Sequence, residues 1–517
     1  MKLNLRRLTT LWSAWLNEGG VREDAQPVVR PFDDFDESPL ELAADSLRRD
    51  ADRTLFAIRR VLRLSVQMLL AATLGLVTGL FGGAFLYSMN KASAFFLSSE
   101  EACASGAFRT FLLAPFAGLF IVFLYKATRT SIDAGTNQVI ESLVSEKKPS
   151  LWLAPLIFIG AVVTQTFGGS AGREGAAIQL GGCVGLGVGR LMRMRDSGLK
   201  LAIYCGMAGG FSSILGAPLT AAVFAVEVGC VGVMYYPAFL PSLVSSTVAA
   251  GVTRTMGFEP FFHAQPVFPA TSLGLVLRVL ALGLLCGLVS VFFCATIRRV
   301  AQSTSRRLPN DYVRVFFGGA LLIVATTLLG TNVYNGTGLF LIERATQGAA
   351  LPQDFLLKTL FTAVCLGAGY KGGEIVPALA VGSTFGCFAG GLLGLDPALG
   401  ASLGMVSVFC GATNCPLASL ILGVEFFGAE NALLFALGCA ATYMSSGRSG
   451  LYKSQRVVFS KASDQIYDVR LRSRLRDDLE TLDERSKGLR SVDVSQFKNE
   501  RKNCWSLEDY LFSEEPE

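Results

Sequence analysis

Between residues 65 and 455 the chain has long stretches with almost no charged side chains. Its charge gathers instead in residues 1–63 and 456–517. A water-soluble core of that size needs charged surface throughout. Overall, 51% of the residues are apolar and 17% charged, against roughly 45–50% and about 25% in an average soluble domain. The expected fold class is therefore an all-α polytopic membrane protein, because in lipid a helix satisfies its own backbone.

The apolar segments fall at about 67–90, 110–126, 151–165, 199–228, 231–252, 271–296, 312–330, 355–368, 375–394, 400–427 and 430–445. Several are too long or too short for one crossing of about 20 residues, and many contain glycine or proline. Helices that stop inside a bilayer are expected only where they are buried in protein or line a water-filled cavity. Arg49, Arg53, Arg59, Arg60 and Arg63 precede the first apolar run, which puts the N-terminus in the cytoplasm. The chain divides into a cytoplasmic segment 1–64, membrane repeats 65–260 and 261–455, and a charged cytoplasmic tail 456–517. The first segment is expected to hold a short amphipathic stretch near Leu3–Leu16, and residues 50–66 an interfacial helix. A multi-pass plasma-membrane protein with both termini inside is the expectation.

Nine of the twelve cysteines sit in apolar runs, as buried thiols do. His263, the single histidine, lies in the loop PFFHAQP and can anchor neither a histidine-based metal site nor a triad. No nucleophile–base pair accompanies it. Neither an enzyme, a metal, a cofactor nor a nucleic-acid partner is expected; membrane lipid is.

An internal repeat runs at an offset of 198: Gly206-Met207 with Gly404-Met405, Pro218-Leu219 with Pro416-Leu417, and Glu227 with Glu425. The same offset pairs Arg173 with Lys371 and Gly175 with Gly373. Two related halves imply a pseudo-two-fold transporter architecture; residue spacing leaves open whether they are inverted.

Four turns into helices carry the chemistry. In FGGSAGREGAAIQLGG, residues 167–182, a glycine-rich turn feeds an apolar helix. Unpaired N–H groups and the positive end of a helix dipole attract an anion there. Gly172, Arg173, Gly175 and Ala176 belong to this turn. Glu174 beside them can occupy the anion's place, or be protonated and swing aside; otherwise it caps the helix and pairs with Arg173 outside the membrane. In GAGYKGGEIVP, residues 367–377, Glu374 precedes a helix starting at Ile375 and Val376, with Lys371 as candidate ion-pair partner. In DAGTNQVIE, residues 133–141, Gly135, Thr136 and Asn137 offer donors for a small anion, or form an ordinary cap. Tyr452, in GLYKSQ, either donates its hydroxyl inward or anchors at the interface. Glu227 and Glu425 are read as structural rather than ion-carrying.

Over residues 65–456 these motifs resemble the CLC family of chloride channels and proton-coupled anion antiporters. The resemblance implies a homodimer with one pore per subunit and inverted half-repeats. It puts Glu174 on the gating glutamate and Tyr452 near the pore-facing tyrosine. Gly135-Thr136-Asn137-Gln138-Val139 stands where chloride-type members have G-S-G-x-P, so Thr136 takes the place of the serine ligand. Ala176 replaces a proline, and Glu374 an apolar residue. The asparagine and GGEIVP are similar to the bacterial fluoride/proton antiporter branch, although Val376 stands where that branch often has threonine. Val228 lies near the internal proton-transfer glutamate of chloride antiporters, with Glu227 its neighbour. The resemblance thus implies export of fluoride against protons. A chloride channel or chloride/proton antiporter is the alternative, and a membrane receptor or scaffold acting through the tail is a third.

Overall fold

The computed structural model describes residues 39–101, 111–132, 135–145, 147–258 and 272–457, with isolated positions 269 and 461. Leu3–Leu16, Asp133, the His263 loop and the tail beyond 461 lie outside the described residues. Sixteen α-helices are described: α1 Pro39–Glu101, α2 Ala114–Ala127, α3 Thr136–Val144, α4 Leu153–Thr166, α5 Glu174–Leu191, α6 Asp196–Leu215, α7 Pro218–Glu227, α8 Phe239–Thr255, α9 Leu273–Arg307, α10 Asp311–Leu329, α11 Leu339–Thr346, α12 Asp354–Ala368, α13 Ile375–Leu392, α14 Pro397–Thr413, α15 Pro416–Phe427 and α16 Ala432–Ser445. Two short parallel strands, β1 Cys230–Val231 and β2 Arg456–Val457, tie the chain after α7 to the start of the tail.

The fold is all-α, of tilted and broken helices. Among the described residues five helical stretches are long and apolar enough to cross a bilayer: Arg60–Phe96, Asp196–Leu215, Leu273–Arg307, Asp311–Leu329 and Ile375–Leu392. Others are short: α2, α4 and α16 have 14 residues each, about 21 Å of helix against a core of about 30 Å. Leu328, 82% exposed, marks a lipid-facing side on α10. The ten described cysteines are buried and unbridged.

Three sequence boundaries shift. The apolar runs 199–228 and 400–427 are each two helices. Gly216 at φ 73° and Asn414 at φ 58° end the first of each pair, and Pro218 and Pro416 open the second. Proline is well placed there, since the first turn has no use for its missing N–H. The boundary expected after residue 64 falls inside α1, which is unbroken from Pro39 to Glu101.

The repeat also has two offsets. α5 and α13 have 18 residues each and start 201 apart, whereas α6 has 20 and α14 has 17. The extra length is about one turn at the start of α6. Beyond that turn the offset returns to 198, so α5 packs on α6 as α13 packs on α14. Both contacts need glycine. A Cβ on Gly181 would lie 2.1 Å from the Gly206 carbonyl oxygen, and one on Gly404 would lie 2.3 Å from that of Gly382. Small residues let helix backbones touch in this way.

Candidate functional site

The two GG turns cross at the centre of the protein. Gly172 and Gly373 form an antiparallel bridge, with N–H···O distances of 2.8 and 2.7 Å in the two directions. This corrects the sequence pairing of Arg173 with Lys371 and Gly175 with Gly373. Across the bridge, Arg173 corresponds to Glu374 and Glu174 to Ile375. The error arose because the extra turn of α6 lies between the motif and the rest of the repeat. Backbone contact allows no side chain here: a Cβ on Gly373 would sit 2.5 Å from the Gly175 nitrogen.

The N-termini of α5 and α13 therefore meet inside the bundle. The first intrahelical bonds are Ala177 N–H to the Arg173 carbonyl and Ala378 N–H to the Glu374 carbonyl. The amides of Gly175, Ala176, Ile375 and Val376 precede them and have no acceptor within their own helices. All four residues are buried. Both dipoles present their positive ends to this point.

Glu174 opens α5 and is fully buried. Its Oε2 accepts from the Arg173 N–H at 3.1 Å and its Oε1 from Arg173 Nε at 3.4 Å. Arg173 Nη1 also donates to Asn90 Oδ1 at 2.8 Å. The sequence alternative of a capping pair outside the membrane is half met: the pair exists, but inside the protein. Glu374 is the N-cap of α13, its Oε2 without a hydrogen-bond donor. A Cβ on Gly175 would lie 3.5 Å from that same oxygen, so the two motifs are in contact.

Two cavities, one mainly polar and one mainly apolar in its lining, approach this contact and share no lining residue. One, of about 400 Å3, is lined by Gly135, Thr136, Asn137, Gln179 and Glu374. Among the described residues Arg306, Arg314, Lys371 and Lys453 also line it, Arg314 being paired with Asp311 at 2.9 Å. Thr136 Oγ1 accepts from Gln179 Nε2 at 2.8 Å, and Asn137 Oδ1 from the Ser454 N–H at 3.3 Å. The buried Tyr452 has a hydroxyl with no protein partner and lies within Coulombic reach of Glu374. The other cavity, of about 490 Å3, is lined by Arg173, Asn90, Ser93, Gln165 and the 332–340 segment. Glu174 lines neither cavity; its neighbour Arg173 lines one, and Glu374 the other.

Lys371 donates its ammonium to the Ile132 carbonyl and rests 4.4 Å from the Tyr125 ring centroid. Glu227 accepts from the N–H groups of Leu417 and Ala418 at 3.1 and 2.9 Å, and Glu425 from those of Leu219 and Thr220 at 3.0 and 2.8 Å. Each carboxylate caps the other repeat's helix, α15 or α7. Neither lines either of these two cavities. Gln179 was missed by sequence reasoning. Its signal was a polar residue one turn along α5 from Glu174, in an otherwise apolar stretch.

Helix mouths meeting in the interior of an apolar bundle, with a buried carboxylate between residues that line two separate cavities, define an integral membrane protein with a polar centre. The family model described as voltage gated chloride channel matches residues 117–447. The chain belongs to this family. It is 36% identical over 356 residues to the chloride/fluoride channel protein of Pseudomonas syringae pv. tomato, covering 68% of this chain and 79% of that one. An H(+)/Cl(-) exchange transporter of Vibrio vulnificus is 27% identical over 381 residues, covering 69% and 81%. Among solved structures, a CLC-type fluoride/proton antiporter superposes with a TM-score of 0.72 at 30% identity, over 77% of this chain and 99% of that one. A slow cyanobacterial Cl-/H+ antiporter shares the fold, with a TM-score of 0.65 at 21% identity over 74% and 94%.

Proposed function

We propose that this protein carries a small halide, fluoride or chloride, across the plasma membrane in exchange for protons, with Glu174 as gate and proton carrier. The supporting observation is the fully buried Glu174 carboxylate at the meeting of two helix mouths, with one cavity reaching Arg173 and the other reaching Glu374. As a carboxylate, Glu174 takes the position an anion needs and holds the Arg173 guanidinium. Protonation removes its charge and weakens both bonds, so the side chain swings aside and the helix mouths are left to the anion. One group thus alternates between blocking the anion and carrying the proton.

Gly135, Thr136 and Asn137 form the cavity-side entry, and the unpartnered Tyr452 hydroxyl donates to the passing anion. Gly172, Arg173, Gly175, Ala176, Ile375 and Val376 form the mouth itself. Glu374, with one undonated oxygen on the cationic cavity, relays the proton to Glu174. The same reading has a homodimer with one pathway per copy, inverted repeats, and both termini in the cytoplasm.

Fluoride is the second, finer reading. Asn137 and Glu374 favour it, because fluoride is a strong hydrogen-bond acceptor and the base of a weak acid. Relatives named for fluoride and for chloride both match. Purified protein in liposomes, tested with each ion and a simultaneous proton readout, decides both points. Halide flux that drives uphill proton movement is expected. Flux without proton movement would leave a channel, and chloride flux equal to or above fluoride flux would remove the fluoride preference.

A further inference from the structure

Gln179 of α5 is a polar side chain with no part in the gate. It is 3% exposed, with Ile178 and Leu180 on either side of it. Its amide reaches α3, where Nε2 donates to Thr136 Oγ1 at 2.8 Å. A Cβ on Gly135 would lie 3.7 Å from the same nitrogen, so the amide rests against the turn that opens α3. Thr136 has one hydroxyl proton. With Nε2 donating to its oxygen, that proton cannot lie on the line to Gln179 and leaves in another direction. It finds no acceptor among the described residues.

Asn137 is held in the same sense. Its Oδ1 accepts from the Ser454 N–H at 3.3 Å, and its amide nitrogen donates to no described residue. The N–H groups of Thr136 and Asn137 lie ahead of the first bond of α3, from the Gln138 N–H to the Gly135 carbonyl, and have no acceptor in their own helix. The side-chain oxygens of both residues are thus occupied by protein donors, and what each has left to offer is hydrogen. Thr136 and Asn137 both line the cavity of about 400 Å3. A cation needs acceptors and water brings both kinds of group, whereas a surface of donors alone is matched by an anion. Setting Thr136 this way has a cost: Gln179 Oε1 is buried without a donor. A half-turn of the amide would satisfy that oxygen with the Thr136 proton and withdraw the proton from the cavity.

We propose that Gln179 is a positioning residue, which turns the Thr136 hydroxyl toward the halide and holds it there without touching the ion. The inference deepens the halide-transport reading and rests on it for the identity of the ion. A bound halide accepts the Thr136 proton and so keeps the amide in its donating setting. When the halide leaves, the amide is free to turn over, and the Thr136 hydroxyl then donates to Oε1. The pair answers to occupancy of the site by the rotation of one amide.

A double-mutant cycle on the full chain separates this from a packing role. Halide binding is read by calorimetry on purified protein in detergent, and halide flux in liposomes, for wild type, Gln179→Met, Thr136→Val and the double variant. Gln179→Met keeps the length of the side chain and removes the amide. It should raise the dissociation constant about tenfold, as for one weakened hydrogen bond to a charged partner. Thr136→Val should raise it at least as much. The double variant should go no further than Thr136→Val alone, because Gln179 acts through that hydroxyl. The half-saturating concentration for flux should follow the dissociation constant. Losses that add in the double variant, or an unchanged constant in Gln179→Met, would overturn the proposal. Wild-type crystals soaked in bromide give a test that needs no variant to fold. Anomalous density is expected within hydrogen-bond reach of the Thr136 hydroxyl and beyond reach of Gln179; density against the Gln179 amide, or none at Thr136, overturns the proposal as well. A wild type that binds halide but carries none would sink the transport reading, and the cycle would still decide the role of Gln179.

Discussion

The two repeats place one carboxylate each at their helix mouths, yet one residue out of step. Across the Gly172–Gly373 bridge, Arg173 matches Glu374 and Glu174 matches Ile375. In the first half the acid is the first residue of its helix, fully buried and held by the arginine before it. In the second half the acid is the N-cap, on the wall of a cationic cavity with an oxygen undonated. The same turn, shifted by one position, buries the acid in one half and sets it on a cavity wall in the other; on the proposed reading these are the plug and the proton relay. The repeat supplied two equivalent helix mouths, and the shift gave their carboxylates different surroundings.

The largest effect expected is that of Glu174→Gln, which keeps the size and removes the titration. It should abolish proton movement while halide flux persists, as read from paired ion and pH electrodes on proteoliposomes. Retained coupling would break the assignment of the plug. Gly373→Val comes next. Its branched side chain points at the Gly175 nitrogen, and overpacking at such a contact costs about 1–3 kcal/mol; a lowered melting temperature in detergent with lost flux would show it. Glu374→Gln should slow coupled transport by about a hundredfold, the low end of the usual contribution of one proton-transfer group, yet leave passive halide entry from the cavity in place. An effect equal to that of Glu174→Gln would erase the contrast between the halves. Asn137→Gly should lower the fluoride-to-chloride flux ratio severalfold by removing one amide. Glu425→Gln is the mildest. It should cost about 1 kcal/mol of stability through a weakened cap on α7, with stoichiometry unchanged, because the carboxylate faces a helix end and not a cavity.

Much of this site was legible beforehand because its motifs are local. A glycine-rich turn before an apolar run announces a helix mouth wherever it sits, and Glu174, Glu374 and the 135–137 turn were found that way. The reciprocal caps of Glu227 and Glu425 were not, since each joins residues about two hundred positions apart. The repeat offset misled for a similar reason. One extra turn in α6 moves every position ahead of it by three without altering the periodicity of either helix. Lys358 carried no signal beyond a lone charge in an apolar segment. Only the fold shows the three oxygen partners that hold it, drawn from the 170 and 334–336 loops.

Sequence by itself determined the solvent and the class. Charge confined to the two ends leaves lipid as the medium for the middle; lipid admits only helices or closed barrels, and the long apolar runs are those of helices, whose breaks must turn inward. Tertiary structure decided which breaks meet, which carboxylate is buried and which lines a wall, and where the cavities lie. Those depend on backbones brought together by glycine contacts between distant segments, and the free energy of such contacts belongs to the pair and is written in neither segment alone.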